Sequence, residues 1–140
     1  MPTPGSLTRK VILLDTHTWI WTLSATKLLS DNVKKLIKKT PTDQRAIASI
    51  SIWEFSMMVV KGRIIVKIDP KLWLDNAIQN SGLKVIELSP AIALESCNLP
   101  GDFHNDPADQ IIVATARIHN LTLLTKDRKI LSYRHVNAFW

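Results

Sequence analysis

Cysteine is almost missing from this chain, with Cys97 the only one. A lone thiol cannot close a disulfide within the chain, and no zinc site can be built from several thiolates. A reducing compartment is the natural setting, so a cytoplasmic location is expected. No apolar run approaches the roughly 20 residues of a membrane span, and no membrane partner is expected. Arg9-Lys10 ahead of Val11 to Leu14 imitates a secretory leader only faintly, because Asp15 ends the run and no cleavage site follows. The four histidines, His17, His104, His119 and His135, show no metal-ligand spacing among themselves, and no cysteine or serine triad offers itself. Internal repeats and a second compositional regime are missing too. The 140 residues therefore read as one domain over 11–140, preceded by a flexible arm over 1–10 rich in Pro, Ser, Thr and Gly. Acidic residues are the minority, 12 against 18 Lys and Arg, for a formal net charge of +6. That excess favours an anionic partner, with nucleic acid ahead of a membrane because no basic amphipathic anchor is visible.

What the chain does contain is short apolar runs separated by helical patterns. Val11 to Leu14 is wholly apolar, as suits a parallel strand covered on both faces, and Asp15 follows at its carboxyl end with Thr16 and Thr18 beside it. Ser30 is placed to cap a helix whose stripe is Val33, Leu36 and Ile37. Lys34, Lys35, Lys38 and Lys39 fall on its other side, where a solvated face is the default and a phosphate grip the alternative. Arg45 to Ser49 fits a second strand. Ser51 to Val60 then reads as a mostly buried helix, capped by Ser51, with Glu54 at capping-box spacing. Gly62 fits the left-handed residue after it. Ile64 to Ile68 reads equally as an edge strand or an extended link. Asp69-Pro70 opens a helix with Leu72, Trp73, Ala77 and Ile78 inward; Lys84 to Leu88 is a third strand, and Ser89-Pro90 starts a short helix through Cys97. Leu121 to Leu124 is a fourth strand, Ile130 to Tyr133 one helical turn, and His135 to Trp140 a short fifth strand. Strands alternating with helices predict an α/β fold with a mostly parallel sheet and right-handed crossovers.

The chain is organised around His104-Asn105-Asp106-Pro107-Ala108-Asp109 and the apolar run from Ile111 to Ala116. Pro107 suits the first position of a helix and Asp106 its N-cap. Asp109 then sits in the first turn of a buried helix. It either complements the helix dipole or serves a site. Asp15 and Asp127 end strands, whereas Glu54 and Asp109 begin helices, and a parallel sheet brings all four to one edge. Converging carboxylates repel until protonation or a cation relieves them. Hard oxygen donors select Mg²⁺ or Mn²⁺, which can bind a phosphodiester oxygen and activate water. Thr16, Ser51 and Thr125 are placed to hydrogen-bond these ligands or the phosphate. His17 and His104 lie nearby, where a solvated loop histidine is the ordinary expectation.

In Leu13-Leu14-Asp15-Thr16-His17, Ser51-Ile52-Trp53-Glu54, His104 to Asp109, Ile112 to Ala116 and Leu123-Leu124-Thr125-Lys126-Asp127, the sequence resembles the PIN-domain family, and within it the VapC-type toxin ribonucleases of toxin–antitoxin pairs. The resemblance runs from Val11 over nearly the whole chain. It implies a three-layer sandwich with a central, mostly parallel sheet of four to five strands flanked by helices. It further implies a Mg²⁺- or Mn²⁺-dependent endoribonuclease, a cognate antitoxin and a homodimer. Carried over residue by residue, the catalytic set is Asp15, Glu54, Asp109 and Asp127. Asp15, Asp109 and Glu54 would hold the metal, Asp127 would act through water, and Thr16, Ser51, Asp106 and Thr125 would be accessory. Asp106 and Asp109 both fit the third acidic position. Ala108 stands where relatives often carry an aromatic residue, a change of packing rather than chemistry. Two other readings are a catalytically weak PIN-like domain that only binds RNA or a protein, and a phospho-acceptor receiver domain. The receiver is poorly served by Asp15 standing alone and by Ser89 after Leu88.

Overall fold

A computed structural model describes residues 11–140; the arm expected over 1–10 lies outside the described residues. The chain runs β1 (Ile12–Leu14), α1 (Thr16–Ser24), α2 (Asp31–Lys39), β2 (Arg45–Ala48), α3 (Ile50–Val60), α4 (Pro70–Ile78), β3 (Lys84–Ile86), α5 (Pro90–Ser96), α6 (Pro107–Ile118), β4 (Thr122–Leu124), α7 (Arg128–Leu131) and β5 (Ala138–Phe139), with 3₁₀ turns before α2 and β2. The five strands are all parallel, in the order β3-β2-β1-β4-β5. That order excludes the receiver reading, whose sheet runs 2-1-3-4-5.

Alternation along each strand divides the core into two layers. Ile12, Leu14, Ile47 and Leu124 face α1, α2, α3 and α4 through Trp19, Val33, Ile37, Phe55, Met58 and Ala77. Leu13, Ala46, Ala48 and Leu123 face α6 and α7 through Ile112, Val113, Ala116 and Ile130. The result is a three-layer α/β/α sandwich whose middle strand, β1, is solvent-free on both sides. Wiring follows from the strand order. The chain steps outward from β1 to β2 and β3 across one face, then returns to the other side of β1 for β4 and β5. Between β1 and β4 the direction of progress reverses, and such a switch point opens a crevice at the carboxyl ends of the strands.

Several local expectations are met for their stated reasons. Ser30 accepts from the Val33 N–H at 3.1 Å and starts α2, whose four lysines are exposed. Asp69, Ser89 and Asp106 cap α4, α5 and α6 ahead of a first-turn proline. Gly62 takes φ +71° after α3. Others need correction. Helix α1 forms where no element is read from the sequence, and it does so although Thr16-His17-Thr18-Trp19-Ile20-Trp21-Thr22 is a β-branched and aromatic run of strand-like preference. Ser51 does not cap α3: the helix begins at Ile50 with Ser49 as its cap, and Ser51 points into the molecule. Trp53 is 58% exposed and Leu72 50%, so α3 and α4 bury narrower faces than their composition suggests. Of the two readings left open for residues 64–68, the structure takes the link, with bends and no strand. No helix among the described residues is long and apolar enough to cross a membrane.

Candidate active site

The crevice at the switch point gathers the acidic residues. Asp15, Glu54, Asp106, Asp109 and Asp127 line one cleft of about 440 Å³, with Thr16, His17, Trp21 and Lys126. Each carboxylate is placed by a different element. Asp15 ends β1 and is the N-cap of α1, with its Oδ1 accepting from the Thr16 N–H at 2.8 Å. Its Oδ2 accepts from the Thr125 hydroxyl at 2.7 Å, across the β1–β4 seam. Its own N–H donates to the Leu124 carbonyl at 3.0 Å, so backbone and side chain are both fixed to β4. Asp127 caps α7 through the Lys129 and Ile130 N–H groups and donates its own N–H to Thr125 Oγ1 at 3.0 Å. Thr125 is thus the link between Asp15 and Asp127.

On the other side, Glu54 lies in the second turn of α3. Its Oε1 accepts from the Thr16 hydroxyl at 2.5 Å, and Thr16 Oγ1 lies 2.7 Å from Ser51 Oγ. Thr16 has one proton, so with that proton on Glu54 the Ser51 hydroxyl must donate to Thr16. Asp106 caps α6 by accepting from the Asp109 N–H at 3.0 Å. Asp109 Oδ2 is 2.7 Å from His104 Nε2, which carries the proton when Asp109 is ionised. The other ring nitrogen, Nδ1, is buried without a partner among the described residues. The sequence alone favours a solvated loop side chain for His104; the structure makes it the partner of Asp109. Asp106, Asp15 and Asp127 each cap a helix at the cleft, so three helix N-termini supply partial positive charge there.

The electrostatics record the crowding. Burial raises the Asp15 carboxyl above its ordinary value, against the lowering effect of its Thr125 hydrogen bond. Burial also raises Asp109, opposed by His104 and reinforced by Asp15, Asp106 and Asp127. Glu54 is pushed up to about 7, first by burial and then, despite its bond to Thr16, by Asp15, Asp109 and Asp106. A group with a raised folded pKa stabilises the fold below its unfolded pKa and loses that contribution as pH climbs through the folded value. For Glu54 the window is 4.5 to about 7. In chelator, Glu54→Gln should therefore match the wild type near pH 4.5 and gain on it by pH 8. Allowing for solvent screening, the gain is on the order of 1 kcal/mol. Thermal melts of the two proteins across this range check it, and curves that stay parallel would refute it.

The donor set is all oxygen, dominated by carboxylates, which suits Mg²⁺ or Mn²⁺. Among the described residues no three His, Cys, Asp or Glu side chains are drawn close enough to cage an ion by themselves. An open arrangement of this kind fits a cation that keeps several waters and takes one or two carboxylates directly.

Comparison with known proteins agrees with this architecture. A family model described as the PIN domain matches residues 12–136. Ribonuclease VapC22 of Mycobacterium tuberculosis is 33% identical over 124 residues, covering 89% of this chain and 92% of that protein. Among solved structures, a toxin–antitoxin complex from Klebsiella pneumoniae superposes with a TM-score of 0.64 at 23% identity, over 92% of this chain and 96% of that one. DNA-bound VapBC from Salmonella typhimurium gives 0.68 at 18% identity, over 93% and 97%.

Proposed function

The chain belongs to the PIN-domain family, and we propose that it is a metal-dependent endoribonuclease, the toxin of a toxin–antitoxin pair, hydrolysing RNA phosphodiester bonds. The observation that carries this reading is the convergence of Asp15, Glu54, Asp109 and Asp127 on one cleft at the carboxyl edge of the sheet. The relative that is a VapC ribonuclease and the solved toxin–antitoxin complexes support it. In this reading Asp15, Asp109 and Glu54 would hold Mg²⁺ or Mn²⁺, one or two of them directly and the remainder through the cation's waters, with Asp127 acting through water. A bound cation supplies charge for the phosphoryl oxygens and lowers the pKa of an attacking water. The protein's own part is positioning. Thr125 holds Asp15, Thr16 and Ser51 hold Glu54, and His104 holds Asp109. Asp106 fixes the first turn of α6, which carries Asp109. Without a cation, burial and the neighbouring carboxylates push Glu54 up to about 7, and a bound cation would relieve that crowding by favouring the carboxylate. The partners of this reading are RNA, a cognate antitoxin and a second copy of the chain.

The test is cleavage of RNA by the purified protein in Mg²⁺ or Mn²⁺ against chelator. Cleavage that needs the cation supports the reading. RNA binding with neither cleavage nor cation binding would replace it by the catalytically weak binding domain.

Two expectations separate the roles. Asp127→Asn should lower the cleavage rate less than Asp15→Asn, because asparagine still caps α7 and Asp127 lies at the cleft margin. Thr125→Val, which removes the hydroxyl that holds Asp15, should cost about 10–100-fold, the range for a ligand's supporting partner. Single-turnover rates rank the three, and a Thr125→Val protein as fast as wild type would remove Thr125 from the site. Light scattering at micromolar concentration should show a homodimer. The half-exposed Trp53 is the kind of aromatic surface enriched at interfaces, and a monomer would contradict the dimer.

A further inference from the structure

Three hollows along the carboxyl edge share lining residues. The carboxylate cleft continues past Asp109 and Asp127 into a second hollow bordered by His104, Arg128 and Lys129. Beyond His104 lies a third, of about 380 Å³, between the loop before α6 and the segment after α7. Its wall is a chain of packed rings, of which Phe103, His104 and His135 are partly exposed and Tyr133 is buried. Phe103 lies 4.3 Å from His104 and 4.8 Å from Tyr133, and Tyr133 lies 5.4 Å from His135. The wall is held in place, because the Tyr133 hydroxyl donates to the Pro100 carbonyl at 2.5 Å and His104 is tied to Asp109. Gly101, at φ +65°, passes so close that a Cβ there would stand 3.4 Å from His135 Nε2.

Charge marks the direction in which a polyanion leaves the cleft. On the α3 side the adjoining groove is formed by Ile50, Trp53, Met57 and Ile111 with Glu54 and Asp106, and no Lys or Arg among the described residues lines it. On the α7 side stand Lys126, Arg128, Lys129 and Arg134, all exposed. Lys129 and Arg134 border the third hollow against one carboxylate, Asp102. Neither has an ion-pair partner among the described residues.

We propose that this third hollow is a nucleotide subsite for single-stranded RNA. The nucleotide beside the cleaved bond lays its base against the ring wall, and Lys129 and Arg134 hold its phosphates. The proposal rests on the nuclease reading and adds to it where the strand runs. Aromatic faces next to cations bind single strands with little preference for sequence. His104, shared between Asp109 and the ring wall, sets the subsite one side chain from the reacting centre.

The test uses a short fluorescent single-stranded RNA and the full chain carrying Asp15→Asn, so that the probe stays intact. Adding Lys129→Ala and Arg134→Ala should weaken binding at least tenfold. It should also make the slope of log affinity against log salt shallower by about 1.4, the value for two phosphates on a single strand. The matched pair Lys34→Ala and Lys35→Ala, on the exposed face of α2, should change little. A 4-thiouridine probe should crosslink within residues 101–104 or 132–135. Equal losses in the two double variants, or crosslinks confined to α3, would overturn the subsite. Loss of antitoxin binding with RNA binding intact would overturn it as well, assigning the hollow to the protein partner. In the otherwise wild-type enzyme, the Lys129 and Arg134 changes should raise KM with kcat nearly constant. An unchanged KM in an enzyme that still cleaves RNA refutes the subsite alone. A wild-type protein that cleaves nothing refutes the nuclease reading and the subsite with it.

Discussion

An Asp15→Asn protein is expected to lose RNA cleavage by more than about 100-fold while melting at or above the wild-type temperature in chelator. Both halves follow from the same geometry. Asp15 is only 8% exposed, and its carboxylate is fixed by Thr16 on one oxygen and Thr125 on the other. Asparagine has the same shape. Its Oδ1 can keep the Thr16 N–H and so the cap of α1. Its amide can donate to Thr125 Oγ1, which has a second lone pair beside the one used by the Asp127 N–H. The fold therefore loses no cap and no packing, and it sheds a buried charge that repels Glu54 and Asp109. On the proposed reading what is lost is a charged oxygen ligand, and removing a ligand should exceed the roughly 10–100-fold cost of removing a ligand's support. The checks are single-turnover cleavage with Mn²⁺ and a thermal melt in chelator. A folded Asp15→Asn protein cleaving at the wild-type rate would remove Asp15 from the site.

The largest effect on stability is expected from Phe55→Ala. Phe55 is fully buried in the layer under β1 and β2. It stacks on Trp73 with centroids 4.1 Å apart at 12°, and meets Trp19 edge-on at 6.1 Å. Truncation opens a cavity that three different helices, α1, α3 and α4, would have to close together, so little relaxation is available. The cost should be about 3–5 kcal/mol, the usual range for a buried Phe→Ala. For a domain of this length that lowers the melting temperature by about 10–20 °C. Phe55 also follows Glu54 in α3, so the loosened helix should blunt cleavage even below the melting transition. Calorimetry and cleavage assays at low temperature check both; a loss under about 1 kcal/mol would mean that the cluster is not a unit.

The acidic set is legible in the sequence because topology alone decides it: residues that end parallel strands or begin the following helices meet at one edge. The elements β1, α2, α6 and β4 are legible from apolar runs and caps. Helix α1 is not, since its Thr and Trp content argues for a strand and its N-cap, Asp15, has a second role in the cleft. The Ser51–Glu54 spacing points to a capping box. In the structure both side chains turn instead to Thr16, which lies 35 and 38 positions away in sequence. No local pattern encodes a contact at that separation. His104 is underestimated for a similar reason: its bond to Asp109 depends on how the loop before α6 folds back over the first turn.

The seam between β1 and β4 carries a kinetic meaning. Asp15 and Thr125 are 110 positions apart, and their hydrogen bond lies on the same seam that pairs Ile12, Leu13 and Leu14 with Thr122, Leu123 and Leu124. Contacts of such separation form late, because the intervening chain must be ordered before they repay its loop closure. A chain emerging from synthesis can pair β1 with β2 early, yet Asp15, 110 positions before Thr125, stays without that anchor and without Asp127 until β4 and the turn after it have been made. The carboxylate cleft is thus completed late, and a partly synthesised or partly folded molecule carries the acidic residues without the geometry that brings them together.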